Sequence, residues 1–298
     1  GELPVAALAE EILTPGEGQI KALVTVAGNP VLSTPNGVQL DRALRGLEFM
    51  VAIDFYLNET TRHAHIILPP TSALEHDHYD LVFNLLAVRN VARYSPAVFE
   101  PAPDARHDWQ ILDELRRRLD DDRVKARCKR WLNARLGPRR LLDLGLRLGP
   151  HGSGFRPFGG GLSLRKLERA PHGIDLGPLE PCLPGRLRTD DRRIELAPSL
   201  FVEDVERLRS RLDASTADER LLLIGRRHLR SNNSWMHNFP RLMGGRERCT
   251  LLMHPDDAEG SGLVNGERVV VTSRTGSVEA GLEVTDEVAE GVVSLPHG

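Results

Sequence analysis

Between Gln19 and Glu75 the apolar and polar positions fall into blocks of alternating kind. The stretch IKALVTVAGNP is an apolar run that empties into Gly28, Asn29 and Pro30, and GVQLDRALRGL then repeats Leu40, Ala43, Leu44 and Leu47 at the spacing of one helical face. FMVAIDFYLNETT is a second run, through Ile53, that delivers Asp54 and then the polar Asn58, Glu59 and Thr60. AHIILPPT is a third run, stopped by Pro69 and Pro70. Strand, helix, strand, short helix, strand is the order of a parallel sheet with crossover helices, and HDWQILDELRRRL closes the unit as an amphipathic helix with Ile111, Leu112, Leu115 and Leu119 inward. In such a sheet ligands bind in the crevice outside the carboxyl ends of the strands, where Gly28, Asn29, Pro30, Asp54, Glu59 and Thr60 all fall.

Past residue 119 the pattern changes. The chain is basic and helical to Leu148, then rich in Gly and Pro from Gly149 to Gly185, which reads as a connector with too few large apolar residues for a core of its own. The strand signal returns at Arg220: LLLIGRR reads as a buried strand, and NGERVVVTSRTGSVEAGLEVT as hairpins turning at Asn265-Gly266 and Thr275-Gly276. The predicted organisation is an α/β parallel-sheet domain over 1–119, a helical and Gly/Pro-rich connector over 120–215, and a β-barrel domain over 216–298. The first residue is Gly1 rather than Met, and the last strand-like segment, GVVSLPHG, runs to the final residue. The expectation is therefore a piece of a longer polypeptide with an incomplete barrel.

Composition narrows the chemistry. With 298 residues, 40% apolar and 27% charged, the chain is long enough for about two globular domains, and a formal charge of -3 gives no whole-molecule reason to expect nucleic acid. Cys128, Cys182 and Cys249 are too few and too scattered for a disulfide framework or a metal knot, which suggests reduced thiols and a cytoplasmic setting, with any export signal belonging to sequence upstream. No apolar run is long enough to span a bilayer. No GxGxxG follows a strand, and P-loop, HExxH and GxSxG signatures are absent. His63, His65, His76 and His78 surround the third strand and leave open either a metal site or ordinary surface histidines; no fixed ligand spacing is met. The run from Arg116 to Arg147 is interrupted by Asp120, Asp121 and Asp122 and offers Trp131 alone as an aromatic platform, so a solvated helical face accounts for it. Asp54 and Glu59 could act as an acid/base pair, or receive hydrogen bonds from a ligand.

The most unusual stretch is RSNNSWMHN, Arg230 to Asn238, directly after LLLIGRR. A turn needs one or two short polar residues, and this loop supplies Ser231, Asn232, Asn233, Ser234, His237 and Asn238 together, with Trp235 and Met236 as an apolar wall. These are groups suited to the phosphates and heterocycle edges of a large polar ligand.

Taken together, LVTVAGNPVLSTPNG, VAIDFYLNETTRHAHIILPPTSALEHD, LLLIGRRHLRSNNSWMHN and the segment from MHPDDAEG to the end resemble, in order, the later domains of molybdopterin-dinucleotide oxidoreductases of the dimethyl sulfoxide reductase superfamily. The resemblance implies an α/β domain binding one of two pterin guanine dinucleotides and a double-psi barrel covering both. It matches Gly28, Asn29 and Pro30 to the family's GxNP loop, and Asp54, Glu59 and Thr60 to its D…ET segment, where Asp54 would meet guanine N–H groups. Gly225, Arg226, Ser231, Asn232, Asn233, Ser234, Trp235 and Met236 match the loop that faces the pterin. Where the family usually has Ala-Asp before the third strand, this chain has Ala64-His65. The implied cofactor is molybdopterin guanine dinucleotide with molybdenum or tungsten, serving two-electron redox or oxygen-atom transfer on a small-molecule substrate, with an electron-transfer partner. Iron-sulfur cysteines and the metal ligand would belong to earlier domains of the same enzyme, so no catalytic residue is expected in this segment. The competing expectation is a non-catalytic binding or assembly subunit that keeps the fold without the redox centre. A nucleotide-binding hydrolase using Asp54 and the histidines is a third.

Overall fold

A computed structural model describes residues 2–119, 124–156, 159–215, 220–232 and 235–297. The first unit begins with α1 (Leu8–Leu13), β1 (Ala22–Val26), α2 (Pro30–Ser33), α3 (Gly37–Arg45), β2 (Phe49–Ile53) and β3 (Ile66–Ile67). The three strands are parallel in the order β1-β2-β3, as the blocks of apolar residues predict, with Val26 opposite Ile53 and Ala52 opposite Ile67. Central β2 is buried from Met50 to Ile53, whereas β1 alternates and exposes Ala22, Val24 and Val26.

The amphipathic face foreseen on α3 packs with α1 against the sheet, gathering Ala9, Ile12, Leu40, Ala43, Leu44, Leu47 and Met50 into one core. Helix α3 starts at Asn36, whose side-chain oxygen accepts from Gln39 N, so one of the four unpaired N–H groups of a helix start is satisfied. Gly37 is fixed by crowding: a Cβ there would stand 2.0 Å from Val31 O. Asp41 on α3 accepts from Arg62 and makes contacts of 2.6 Å to Arg45 and 2.7 Å to His63, which ties the helix to the turn after β2. Those hydrogen bonds, from Arg62 first and His63 second, hold the Asp41 carboxyl well below the usual carboxylate range.

Short pairs follow: β4 (His78–Tyr79), β5 (Arg89–Ala92) and β6 (Tyr94–Ser95), then α4 (Asp108–Leu119) and α5 (Val124–Leu148), which is broken at Gly137 (φ 63°) ahead of Pro138. Asp120, Asp121 and Asp122 lie outside the described residues, as do the side chains of Cys128 and Trp131. After α6 (Leu164–Glu168), β7 (Ile174–Pro178) pairs antiparallel with β5, and Arg89 meets Asp175 at 2.8 Å. Leu146, Leu162, Leu164 and Leu167 thereby join Ala92 and Tyr94 in a second core. The Gly/Pro-rich stretch is thus more than a wrap: Leu162, Leu164 and Leu167 enter one cluster with the segment before α4, while Leu179 and Leu183 stay exposed. Helices α7 (Ser199–Glu203) and α8 (Val205–Ser215) complete the middle of the chain.

The last unit comprises β8 (Leu222–Arg226), α9 (Pro240–Met243), β9 (Thr250–Met253), α10 (Pro255–Gly260), β10 (Arg268–Thr272), β11 (Ser277–Val284) and β12 (Val292–Pro296). The expected β10–β11 hairpin is present, with Ser273 N donating to Gly276 O across its turn. The sheet order is β10-β11-β9-β12-β8, mixed parallel and antiparallel, over a core of Leu251, Met253, Ala258, Val269, Ala280, Leu282 and Val293. An incomplete double-psi barrel was expected here; among the described residues the strands form an open sheet, with β8 and β10 at its edges, and no closed barrel. β8 is likewise not the buried strand its composition suggests: it pairs with β12 alone and leaves Leu222 57% and Ile224 44% exposed. Hydrophobic runs report strand propensity; how many neighbours a strand has is decided by crossovers the pattern does not encode.

The α1/α3 core gives a direct test. Leu44 is 2% exposed, and Leu44→Ala is expected to lower the unfolding free energy of the chain by about 2–5 kcal/mol. Leu86→Ala, at a side chain 78% exposed, is expected to change it by less than about 0.5 kcal/mol, both read by urea denaturation.

Candidate functional site

Two strand-end loops carry the residues of interest. At the first, Ala27 N donates to Ile53 O at 2.9 Å, so β1 and β2 end side by side. Ala27 and Gly28 then both take left-handed backbone, with φ of 54° and 78°. For Gly28 the need is conformational: a Cβ would meet nothing within 4 Å, so the space beside it is open. This turn aims Asn29 at the segment after β2. The Thr60 hydroxyl donates to Asn29 Oδ1 at 2.7 Å and accepts from Val31 N at 3.1 Å, while Asn29 Nδ2 donates to Glu59 Oε2 at 2.6 Å.

Thr60 is fully buried, and its hydroxyl is occupied both as donor and as acceptor. Asn58 folds the loop behind it, its Oδ1 accepting from Thr60 N and Thr61 N at 2.9 Å each. The hydrogen bond from Asn29, followed by one from the Glu59 backbone, lowers the Glu59 carboxyl from its ordinary range, so it is ionised at neutral pH. Asn29, Glu59 and Thr60 therefore come together as the sequence predicts, and they satisfy each other.

Asp54 differs. It sits at the end of β2, 8% exposed, and one oxygen, Oδ1, accepts from Tyr56 N at 2.9 Å. Its Oδ2 accepts from no group among the described residues. A buried carboxylate oxygen without a partner beside an open turn fits a ligand edge that presents N–H donors. The donor-rich edge of a guanine base meets that requirement.

The second loop follows β8. Gly225 and Arg226 pair with Leu295 and Pro296 of β12. The Arg226 guanidinium donates to Ser294 O at 2.6 Å and to Thr250 O at 2.7 Å, clamping β8, β12 and β9 together. Burial works against its charge, offset by Glu283, which Thr250 Oγ1 contacts at 2.9 Å. Arg226 is thus a structural clamp in this sheet. Ser231 is 5% exposed, its Oγ donating to His228 O at 3.3 Å, and Asn232 takes left-handed backbone at φ 43°. Asn233 and Ser234 lie outside the described residues.

A cavity of about 360 Å³ opens beside this loop, and among its lining residues are Ser231, His228, His237, Arg246 and Arg248. Trp235 and Met236 do not line it, and Trp235 is 73% exposed. Arg246 and Arg248 escape a reading of the sequence because they lie in GGRERC, well after the polar loop; the paired glycines before two arginines were the available signal. Glu247 also lines the cavity, its Oε1 accepting from Arg248 N and Cys249 N, so two guanidinium groups and two imidazoles against one engaged carboxylate suit an anionic ligand such as a phosphate. The histidines of the third strand do not gather: His63 contacts Asp41 at 2.7 Å, while His65 Nδ1 accepts from Met50 N at 3.0 Å.

Comparison with known proteins agrees with a nucleotide-type cofactor. Residues 2–118 match the model "Molybdopterin oxidoreductase", and residues 221–298 match "Molydopterin dinucleotide binding domain". The assimilatory nitrate reductase catalytic subunit of Bacillus subtilis is 38% identical over 100 residues, 33% of this chain and 13% of that one. The dimethyl sulfoxide/trimethylamine N-oxide reductase of Rhodobacter capsulatus is 24% identical over 341 residues, covering 99% of this chain and 39% of its own. Among solved structures, acetylene hydratase from Pelobacter acetylenicus shares the fold, with a TM-score of 0.70 at 19% identity over 99% of this chain and 39% of that one. The chain spans well under half the length of these relatives. The two matched models, on either side of the connector and together covering most of the chain, place it in the molybdopterin oxidoreductase family, whose cofactor is a molybdopterin dinucleotide.

Proposed function

We propose that this chain is the C-terminal cofactor-binding part of a molybdenum or tungsten bis-molybdopterin guanine dinucleotide oxidoreductase. The observation that carries the reading is the unpaired Oδ2 of Asp54, buried at a strand end beside the open turn at Gly28. Asp54 would accept from the guanine edge, and the Gly28 turn would let backbone approach the nucleotide. Asn29, Glu59 and Thr60 position that turn. Ser231, His237, Arg246 and Arg248 would take phosphates or a pterin edge at the second loop, with Trp235 and Met236 turned toward an adjoining domain. When bound, the metal and pterin supply the two-electron redox or oxygen-atom chemistry. The residues of this chain bind, orient and exclude water.

The same reading divides the chain into an α/β unit over 1–119, a connector over 120–215 and a dinucleotide-binding unit over 216–298 whose open sheet is part of a double-psi barrel completed elsewhere. It assigns the metal ligand, any iron-sulfur cluster and the substrate-selecting residues to other domains of the same cytoplasmic enzyme. The relatives' names include a nitrate reductase, a sulfoxide reductase and a hydratase. Chemistry that varies while these segments stay recognisable supports a shared role in holding the cofactor.

Asp54→Asn tests the assignment in the full-length enzyme, because the amide keeps an acceptor for Tyr56 N and loses the charge. The expected outcome is a ten- to hundredfold fall, on the order of 1.5–3 kcal/mol, in affinity for the dinucleotide, read as pterin and guanine nucleotide retained after dialysis. Unchanged retention would sink it.

Thr60→Val removes a hydroxyl that serves Val31 N and Asn29 at once, and is expected to cost about 1–3 kcal/mol of stability by leaving a buried N–H unpaired. For Glu59 the folded carboxyl is lowered, so its stabilisation is complete above the unfolded value and is lost as pH falls through the folded one. The stability difference between wild type and Glu59→Gln should be constant above about pH 5 and shrink below about pH 4. A difference that grew in acid would contradict the Asn29–Glu59 bond.

A further inference from the structure

A second cavity, about 620 Å³, opens between the Tyr79–Leu85 segment, β5, the half of α5 after Pro138, and Leu162 and Leu176. It shares no lining residue with either strand-end loop. Helix α5 and Leu176 also lie between the two regions that match the family models. Its walls are Leu81, Leu85, Val91, Leu142, Leu146 and Leu176, so water inside would find few partners, while the volume falls in the range of about 300–1,000 Å³ occupied by small-molecule ligands.

The polar groups at the rim sort into two kinds. Asp80 Oδ1 accepts from Val82 N and Phe83 N at 2.9 and 2.7 Å, Asn84 Nδ2 donates to Asp80 O at 3.2 Å, and Asn90 Nδ2 donates to Pro178 O at 2.7 Å. Those atoms are committed to the fold. The Tyr79 hydroxyl and the His151 imidazole line the same cavity and have no hydrogen-bond partner among the described residues. Burial first, and Asp80 second, push the Tyr79 hydroxyl up from its ordinary value, so it is a protonated donor at neutral pH. An apolar chamber bordered by the Tyr79 hydroxyl and the His151 imidazole is the arrangement of a site that orients a mostly apolar molecule by one polar atom.

We propose that this cavity binds a small lipophilic molecule bearing a carbonyl group, with Tyr79 and His151 holding the carbonyl oxygen and the leucines enclosing the hydrocarbon body. The probes are acetylnaphthalene and ethylnaphthalene, alike in size and differing by the carbonyl, measured by equilibrium dialysis against the full-length protein. Acetylnaphthalene is expected to bind at one site at least about fivefold more tightly. Tyr79→Phe and His151→Ala should each reduce that preference and leave ethylnaphthalene binding unchanged. Leu142→Trp, which fills the chamber, should weaken both probes at least tenfold. Leu85→Trp does the same from a side chain 72% exposed, where folding is not at stake. No saturable binding, as when another segment of the protein occupies the chamber, would overturn the proposal. So would binding that both tryptophan variants leave intact, or equal affinity for the two probes.

Discussion

The Thr60 hydroxyl is the contact on which the first binding loop depends. It reaches from the turn after β2 to the turn after β1, donating to the Asn29 side chain and accepting from Val31 N, in a place with no access to water. Two parallel strands end side by side, but nothing in a parallel ladder dictates how the loops beyond them are arranged. Here a single buried hydroxyl couples them, Glu59 takes the other half of the Asn29 amide, and the left-handed pair Ala27 and Gly28 is held in a shape it would not adopt alone. Beside those groups, Asp54 Oδ2 is an acceptor with no partner among the described residues. An unpaired buried polar oxygen costs folding free energy, on the order of 1–3 kcal/mol where water cannot reach it.

The two loops divide the electrostatic labour. The α/β unit offers a carboxylate to hydrogen-bond donors, whereas the loop after β8 borders a cavity lined by Arg246, Arg248, two histidines and Glu247. A dinucleotide presents both complements, a base with N–H donors and a chain of phosphates. The placing of Arg226 shows why charge alone is a poor guide: its guanidinium is consumed by carbonyls of two neighbouring strands, β12 and β9, whereas Arg246 and Arg248, farther along the chain, border the cavity.

Much of the first unit was legible in the sequence because its signals are local. The apolar runs, the Leu40–Leu44 face and the polar residues at strand ends reflect periodicity and turn chemistry that short stretches encode. What was not legible depended on long-range partners. The run LLLIG reads as buried and is an edge strand, since its neighbour count is set by a crossover to β12. The incomplete barrel expected after it is an open mixed sheet among the described residues. The leucines scattered between Leu146 and Leu167 carry no period, and they make a core with Ala92 and Tyr94 only because β7 returns to β5. Within the candidate site, Asn29, Glu59 and Thr60 were found as a group, yet their mutual satisfaction, which makes them a support for the site, could not be read without geometry.

The most direct test of this account is a crystal structure of the full-length protein with a molybdopterin guanine dinucleotide bound. The account predicts Asp54 Oδ2 within about 3 Å of guanine N–H donors, with Asn29 still engaged by Thr60 and Glu59. A guanine base bound away from Asp54, or an Asn29 amide swung off Thr60 onto the nucleotide, would contradict it.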